Sequence, residues 1–258
     1  MKKVLAFVLV AVLVLSVFSF VGCNIELPKE TYKQTTESTA KSTTTKPITT
    51  SSSTSGKEDN NDPVDDVNGS AGLVYELIDN VTGYKVIGMG EFKGSKLVIP
   101  STYKGLPVAV IGQDAFNSNA DIISVFIPDS VTAIEAAAFK WCRSLVSVTF
   151  GENSRLSYID GEAFGQCTAL ESISIPESVT YIASAFIDCS SLTTVYIGNS
   201  IKVIGRCAFS NCNSLTTMYY DGTVLEWSEI DIDDEWIVSI IPFSFTLVCS
   251  DETRIISE

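Results

Sequence analysis

The chain has 258 residues, with 17 Lys and Arg against 31 Asp and Glu, a formal charge of −14. That balance argues against nucleic acid as a partner, since phosphate binding needs clustered Lys and Arg. Histidine is absent, which removes Ser–His–Asp and Cys–His nucleophile systems, His-ligated zinc and the usual general base near neutral pH.

Lys2 and Lys3 open the chain, and an apolar run from Val4 to Val21 follows, broken only by Ser16 and Ser19. A basic start, an apolar stretch and a small residue before a cut describe a secretory signal peptide, residues 1–22. The segment Phe20-Val21-Gly22-Cys23 resembles the bacterial lipoprotein lipobox, with Phe20 where Leu is usual. That resemblance implies cleavage before Cys23 and diacylation of its thiol. An uncleaved membrane anchor and plain secretion are the alternatives. All three place the remainder outside the cytoplasmic membrane, and a two-chain anchor holds it there stably.

Residues 23–69 read as lipidated Cys23 and a linker. Thr31 to Ser55 is dominated by Thr and Ser, and Lys57 to Asn68 is acidic. Neither part has an apolar period, so neither buries enough surface to offset chain entropy. As a coil, such a disordered tether reaches roughly 35 Å.

The rest is built on a repeat. Ala-Phe recurs at Phe116, Phe139, Phe164, Phe186 and Phe209, in steps of 23, 25, 22 and 23 residues. Cys142, Cys167, Cys189 and Cys212 stand three residues after the last four, and Leu145, Leu170, Leu192 and Leu215 three further on. Asn119 and Ile122 take these places in the first copy. A short alternating stretch follows each, with Val125/Ile127, Val148/Phe150, Ile173/Ile175, Val195/Ile197 and Met218/Tyr220 as its apolar members. Period-two alternation predicts one strand per repeat with one buried face. A second apolar pair comes next: Val108/Ile111, Val131/Ile134, Leu156/Ile159, Val179/Ile182 and Ile201/Ile204. Two extra residues before Leu156 and one missing between Ile182 and Phe186 fall in expected turns. One such unit cannot enclose a core. Stacked units can, with strands pairing in parallel about 4.8 Å apart.

Leu170 to Leu192, LESISIPESVTYIASAFIDCSSL, and its sister copies resemble the BspA-like leucine-rich repeats of bacterial surface proteins, the 23-residue class. The expected fold is a mainly β repeat solenoid: a short right-handed leucine-rich-repeat coil with a parallel sheet. Expected boundaries are 70–96 for an N-terminal hairpin cap, 97–220 for the repeats and 221–258 for a C-terminal cap of helix and strand. Both ends need covers, because an open end exposes core and strand edge. The front hairpin is read from Leu73 to Gly90. At the back, a short helix carries Leu225 and Trp227, and a last strand follows around Phe245.

The cysteine column has three readings: small buried thiols, disulfides between neighbours, or metal ligands. Cys207 and Cys249 fall outside it. Glu229 to Trp236 is a solvated acidic loop or a calcium loop. The glycines near Gly88 lack dinucleotide-loop spacing. No catalytic residue, cofactor or metal is implied.

The solvent side of the strands carries two columns: Ser124, Ser147, Ser172, Thr194, Thr217, and Phe126, Thr149, Ser174, Tyr196, Tyr219. Exposed aromatics amid short hydroxyls suit contact, and β-propensity explains them equally. The candidate ligand-binding residues are Phe126, Thr149, Ser174, Tyr196, Tyr219, Thr194 and Thr217, centred on the two tyrosines. The resemblance implies a non-enzymatic adhesion or protein-binding module on the outer face of a bacterial membrane. Its partner is a host matrix or bacterial surface protein, with a glycan as the alternative ligand.

Overall fold

The structure is a computed structural model and describes residues 69–78, 82–238 and 244–257, all within one compact unit, Pro63–Glu258. The signal peptide, Cys23 and the linker up to residue 68 lie outside the described residues.

An antiparallel hairpin of β1 (Val74–Leu77) and β2 (Tyr84–Gly88) opens the unit. Then come β3 (Lys96–Val98), β4 (Thr102–Tyr103) and β5 (Leu106–Ile111). From there four-residue and two-residue strands alternate. The long ones are β6 (Ser124–Ile127), β8 (Ser147–Phe150), β10 (Ser172–Ile175), β12 (Thr194–Ile197) and β14 (Thr217–Tyr220). The short ones between them are β7 (Ala133–Ile134), β9 (Tyr158–Ile159), β11 (Tyr181–Ile182) and β13 (Val203–Ile204).

Each repeat therefore makes two strands, not the one expected. The second apolar pair forms its own parallel ladder, in which Ile111, Ile134, Ile159, Ile182 and Ile204 are aligned in register. That ladder extends the hairpin, because β2 pairs in parallel with β5. The hairpin covers the front end, where Tyr75, Tyr84 and Tyr103 cluster, Tyr75 and Tyr103 stacking at 3.9 Å.

The Phe rings line up along the coil. Successive centroids from Phe116 to Phe209 are 5.1, 5.2, 5.4 and 5.3 Å apart, with interplanar angles of 16° or less. This spacing is close to that of paired strands, so the backbone ladder sets the ring stack. All five rings are buried.

The turns around each Phe hold two left-handed residues two positions to either side. These are Asp114 and Ser118, Ala137 and Trp141, Glu162 and Gln166, and Cys207 and Asn211. The Phe186 turn keeps only Asp188. It is the turn with the missing residue, so the deletion removes one left-handed position and leaves the ladder intact.

The cysteine column proves to be a thiol ladder of buried free cysteines. Cys142, Cys167, Cys189 and Cys212 each donate from Sγ to the carbonyl of the Phe one repeat back, at 3.1–3.2 Å. Phe116, Phe139, Phe164 and Phe186 also accept from a backbone N–H within their own repeat. Both lone pairs of these four buried carbonyls are thereby used. Asn119 opens the series because no Phe carbonyl precedes it. Its side-chain oxygen accepts from the N–H groups of Asp121 and Ile122 instead.

The back end differs from expectation. Residues after Tyr220 form a sixth, irregular turn. A short helix (Val224–Ser228) starts at a Thr223–Glu226 capping box, but Leu225 is 70% exposed; Trp227 packs on the core together with Val224. The acidic stretch is not a free loop, because β15 (Asp231–Ile232) pairs with β13. Asp233 accepts from the Glu235 N–H, and Glu235 pairs with Arg206. No group of three or more metal-ligating residues occurs among the described residues. Trp236 then lies edge-on against Phe209 at 6.0 Å and ends the ring stack. The final strand is in fact two: β16 (Ser244–Val248) pairs with β14, and β17 (Thr253–Ser257) folds back on β16.

Burial pushes the Cys142 and Cys189 thiols up to about 12, and Cys167 and Cys212 well above the usual thiol range. A raised folded-state pKa stabilises fully below the unfolded pKa, and the benefit is lost as pH climbs toward the folded one. The thiol contribution to the urea midpoint is therefore expected to be constant to about pH 9 and to fall between there and pH 12. Cys189→Ala should cost about 1–2 kcal/mol at neutral pH and flatten the alkaline fall. An equally steep fall in the variant would contradict the ladder.

Candidate functional site

The candidate face is built by strand alternation. In β12 and β14, Val195, Ile197, Met218 and Tyr220 point inward and are buried, which turns Thr194, Tyr196, Thr217 and Tyr219 outward. Register places Ser174 beside Tyr196 and Tyr196 beside Tyr219, with Thr194 beside Thr217. The two tyrosine rings stack at 4.7 Å and 7° while remaining 46% and 36% exposed. One ring face of each is therefore spent on the other. The rest of each side chain remains partly open to solvent.

Phe126 and Thr149 are also neighbours on the outer face, and Phe126 is 38% exposed. They lie on a different sheet from the other five candidates. The expected continuous stripe is divided: β3, β6 and β8 form one sheet, and β10, β12, β14, β16 and β17 another. No ladder joins β8 to β10 among the described residues. Two local features accompany the break. The repeat holding β8 carries the two extra residues before Leu156. Pro176 stands where Gly151 stands one repeat earlier, and the Gly151 N–H closes the β6–β8 ladder by donating to Ile127 at 2.9 Å. Proline has no N–H to give.

The break alters one expected core residue. Phe150 is only partly buried and lines an open groove of about 670 Å³ between β8 and β10. The face also reaches further than expected, since Thr246 and Val248 of β16 continue the Thr217 and Tyr219 columns.

Three exposed side chains escaped sequence reasoning. Ile123 and Val146 are 49% and 42% exposed and adjacent, the Val146 N–H donating to the Ile123 carbonyl. Trp141 is exposed at a left-handed position, φ 61°, where the other repeats hold Ser118, Gln166, Asp188 and Asn211. Its ring lies under the Lys140 ammonium, 4.7 Å from the centroid. The available signal was the column itself, in which Trp stands out among polar residues that tolerate that backbone.

The described residues contain no helix long and apolar enough to cross a membrane. The family described as BspA type leucine rich repeat region matches in six copies over residues 109–230. A leucine rich repeat protein of T. pallidum is 32% identical with a TM-score of 0.54, over 57% of this chain and 68% of that one. A leucine rich cell surface protein of Faecalibacterium prausnitzii is 33% identical with a TM-score of 0.56, over 63% of this chain and 41% of that one. The pneumococcal vaccine antigen PcpA shares the fold at 22% identity, with a TM-score of 0.53 over 66% of this chain and 47% of that one. The chain thus spans less than half the length of the latter two proteins. No curated protein sequence matches it. With the repeat period, the twin parallel ladders and the aligned rings already established, these likenesses settle the family: the chain belongs to the BspA-type leucine-rich repeats.

Proposed function

We propose that this chain is a lipid-anchored binding module of a bacterial cell surface, holding a protein ligand non-covalently on its exposed strand face. Cys23 is the lipid attachment point, and the Ser/Thr-rich and acidic linker is the tether. The observation that carries the reading is the Tyr196–Tyr219 stack: two large side chains left in solvent on a rigid ladder, flanked by the hydroxyls of Ser174, Thr194 and Thr217. Aromatics held this way bury much area at little entropic cost.

Each tyrosine keeps one ring face free of the other, so a glycan remains the alternative ligand. The hydroxyls beside the stack suit peptide groups as well. Size adds a constraint. Eight strands at about 4.8 Å spacing and four residues' length give roughly 500 Å² of projected face, whereas a stable partner needs about 800 Å². The contact therefore runs past the strands onto the turns beside them. Phe126 and Thr149 extend it across the break. The cell-surface placement of the Faecalibacterium relative supports a host matrix or bacterial surface protein as the partner.

Capture from host matrix and from co-resident bacteria should fall at least tenfold, a loss typical of a central aromatic anchor, in Tyr196→Ala and Tyr219→Ala chains. A glycan-array signal without any captured protein would turn the reading to sugar. Tyr219→Ala should cost only about 1 kcal/mol in urea unfolding, so lost capture would not reflect unfolding. For the anchor, membrane-fraction mass spectrometry should find a diacylated peptide beginning at Cys23, and Cys23→Ser should release the chain. Recovery of an unmodified Cys23 still joined to Gly22 would refute lipidation.

A further inference from the structure

The groove at the sheet break has a defined chemistry. Phe150 and Pro176 give it apolar wall, the exposed Glu152 and Glu177 stand on it, and Ser178 and Ser200 line it. No Lys or Arg lines it. A neighbouring hollow of about 600 Å³ shares Phe150 and Glu152 and adds Asp129, again with no cation in its lining. None of these three carboxylates makes an ion pair among the described residues. The Ser178 hydroxyl already donates, to the Leu156 carbonyl at 2.7 Å, so it offers a ligand only its lone pairs. Among the described residues the β8 edge facing β10 has no ladder partner either.

An inserted strand cannot be the occupant. It would need about 9.6 Å between β8 and β10, twice the strand spacing, and Cα atoms of the two strands lie within 8 Å of each other. A side chain fits where a strand does not. The groove presents acceptors and an apolar wall, and no Lys or Arg lines it; in the neighbouring hollow Asp129 is already engaged, its carboxylate by the Asn153 N–H and its carbonyl by the Arg155 guanidinium.

We infer that this groove is a subsite for an arginine-bearing basic segment of the protein ligand, a refinement that rests on the strand-face reading above. The guanidinium donates to the Glu152 and Glu177 carboxylates, and its plane and stem lie along Phe150 and Pro176. Arginine suits such a site better than lysine. Its planar fork pairs with carboxylates through two parallel bonds and packs on apolar and aromatic surface, whereas an ammonium is a compact, strongly hydrated charge. The subsite also supplies contact area beyond the strands, which the size of the face requires.

The test uses the purified full-length chain and a fluorescent hexa-arginine peptide, read by anisotropy at physiological salt, with hexa-lysine in parallel. Glu152→Gln/Glu177→Gln should weaken hexa-arginine at least tenfold and hexa-lysine less. Glu76→Gln/Asp234→Asn removes the same charge at exposed sites elsewhere and should change binding less than twofold. Equal weakening by both double variants would mean that net charge alone attracts the peptide, and the subsite falls. Tyr196→Ala/Tyr219→Ala should leave hexa-arginine binding intact. If the tyrosine variants abolish protein capture while the groove variants leave it unchanged, the strand-face reading survives and the arginine subsite does not. The reverse pattern would overturn the strand-face reading.

Discussion

Everything in the coil depends on the joint between one Phe turn and the next. The buried Phe carbonyl has two lone pairs and no water to satisfy them. An N–H of its own repeat takes one, and the next repeat's thiol takes the other. The backbone N–H of each Phe meanwhile donates forward, as from Phe139 to Ala163 and from Phe164 to Ala185. Each joint is thus reciprocal: the earlier coil gives an amide proton and the later returns a thiol proton. An unmet carbonyl in that interior would cost several times what a net hydrogen bond contributes. The joint demands the same repeat spacing as the parallel strand ladders, and the ring column follows from that shared spacing.

The repeat was legible because each of its positions has a fixed duty. Phe fills the axis, Cys reaches one carbonyl and Leu seats the strand, so the same residue types return every 22–25 positions. The sixth turn was not legible because its duty is different. The Cys207, Phe209 and Asn211 N–H groups need acceptors, and the carbonyls of Glu235, Trp236 and Val238 supply them. Any residue has a carbonyl, so those positions carry no pattern. The acidic run that reads as a loop is for this reason a structured closing coil. The two-residue strands escaped notice because a length of two gives no alternation to detect.

The candidate face was half legible. Alternation correctly turned Tyr196, Tyr219, Thr194 and Thr217 outward. It gave no warning of the division between Thr149 and Ser174, because sheet continuity depends on whether each strand meets the next and not on any one strand's pattern. The clues were the two-residue insertion and Pro176, each unremarkable alone. Phe150 shows the converse. A large apolar side chain at a repeat's inward position reads as core until the backbone around it is seen.

The reciprocal joint makes the number of coils a free variable. A unit spliced into the middle of the run would find donors waiting on one side and acceptors on the other. Neither terminus would need redesign, because the hairpin and Asn119 already begin the series at the front and the sixth turn's main-chain carbonyls, with Trp236, close the rear. Lineages that duplicate or drop whole units can therefore lengthen or shorten the array in single genetic steps, varying the reach of the surface while its internal chemistry stays unchanged.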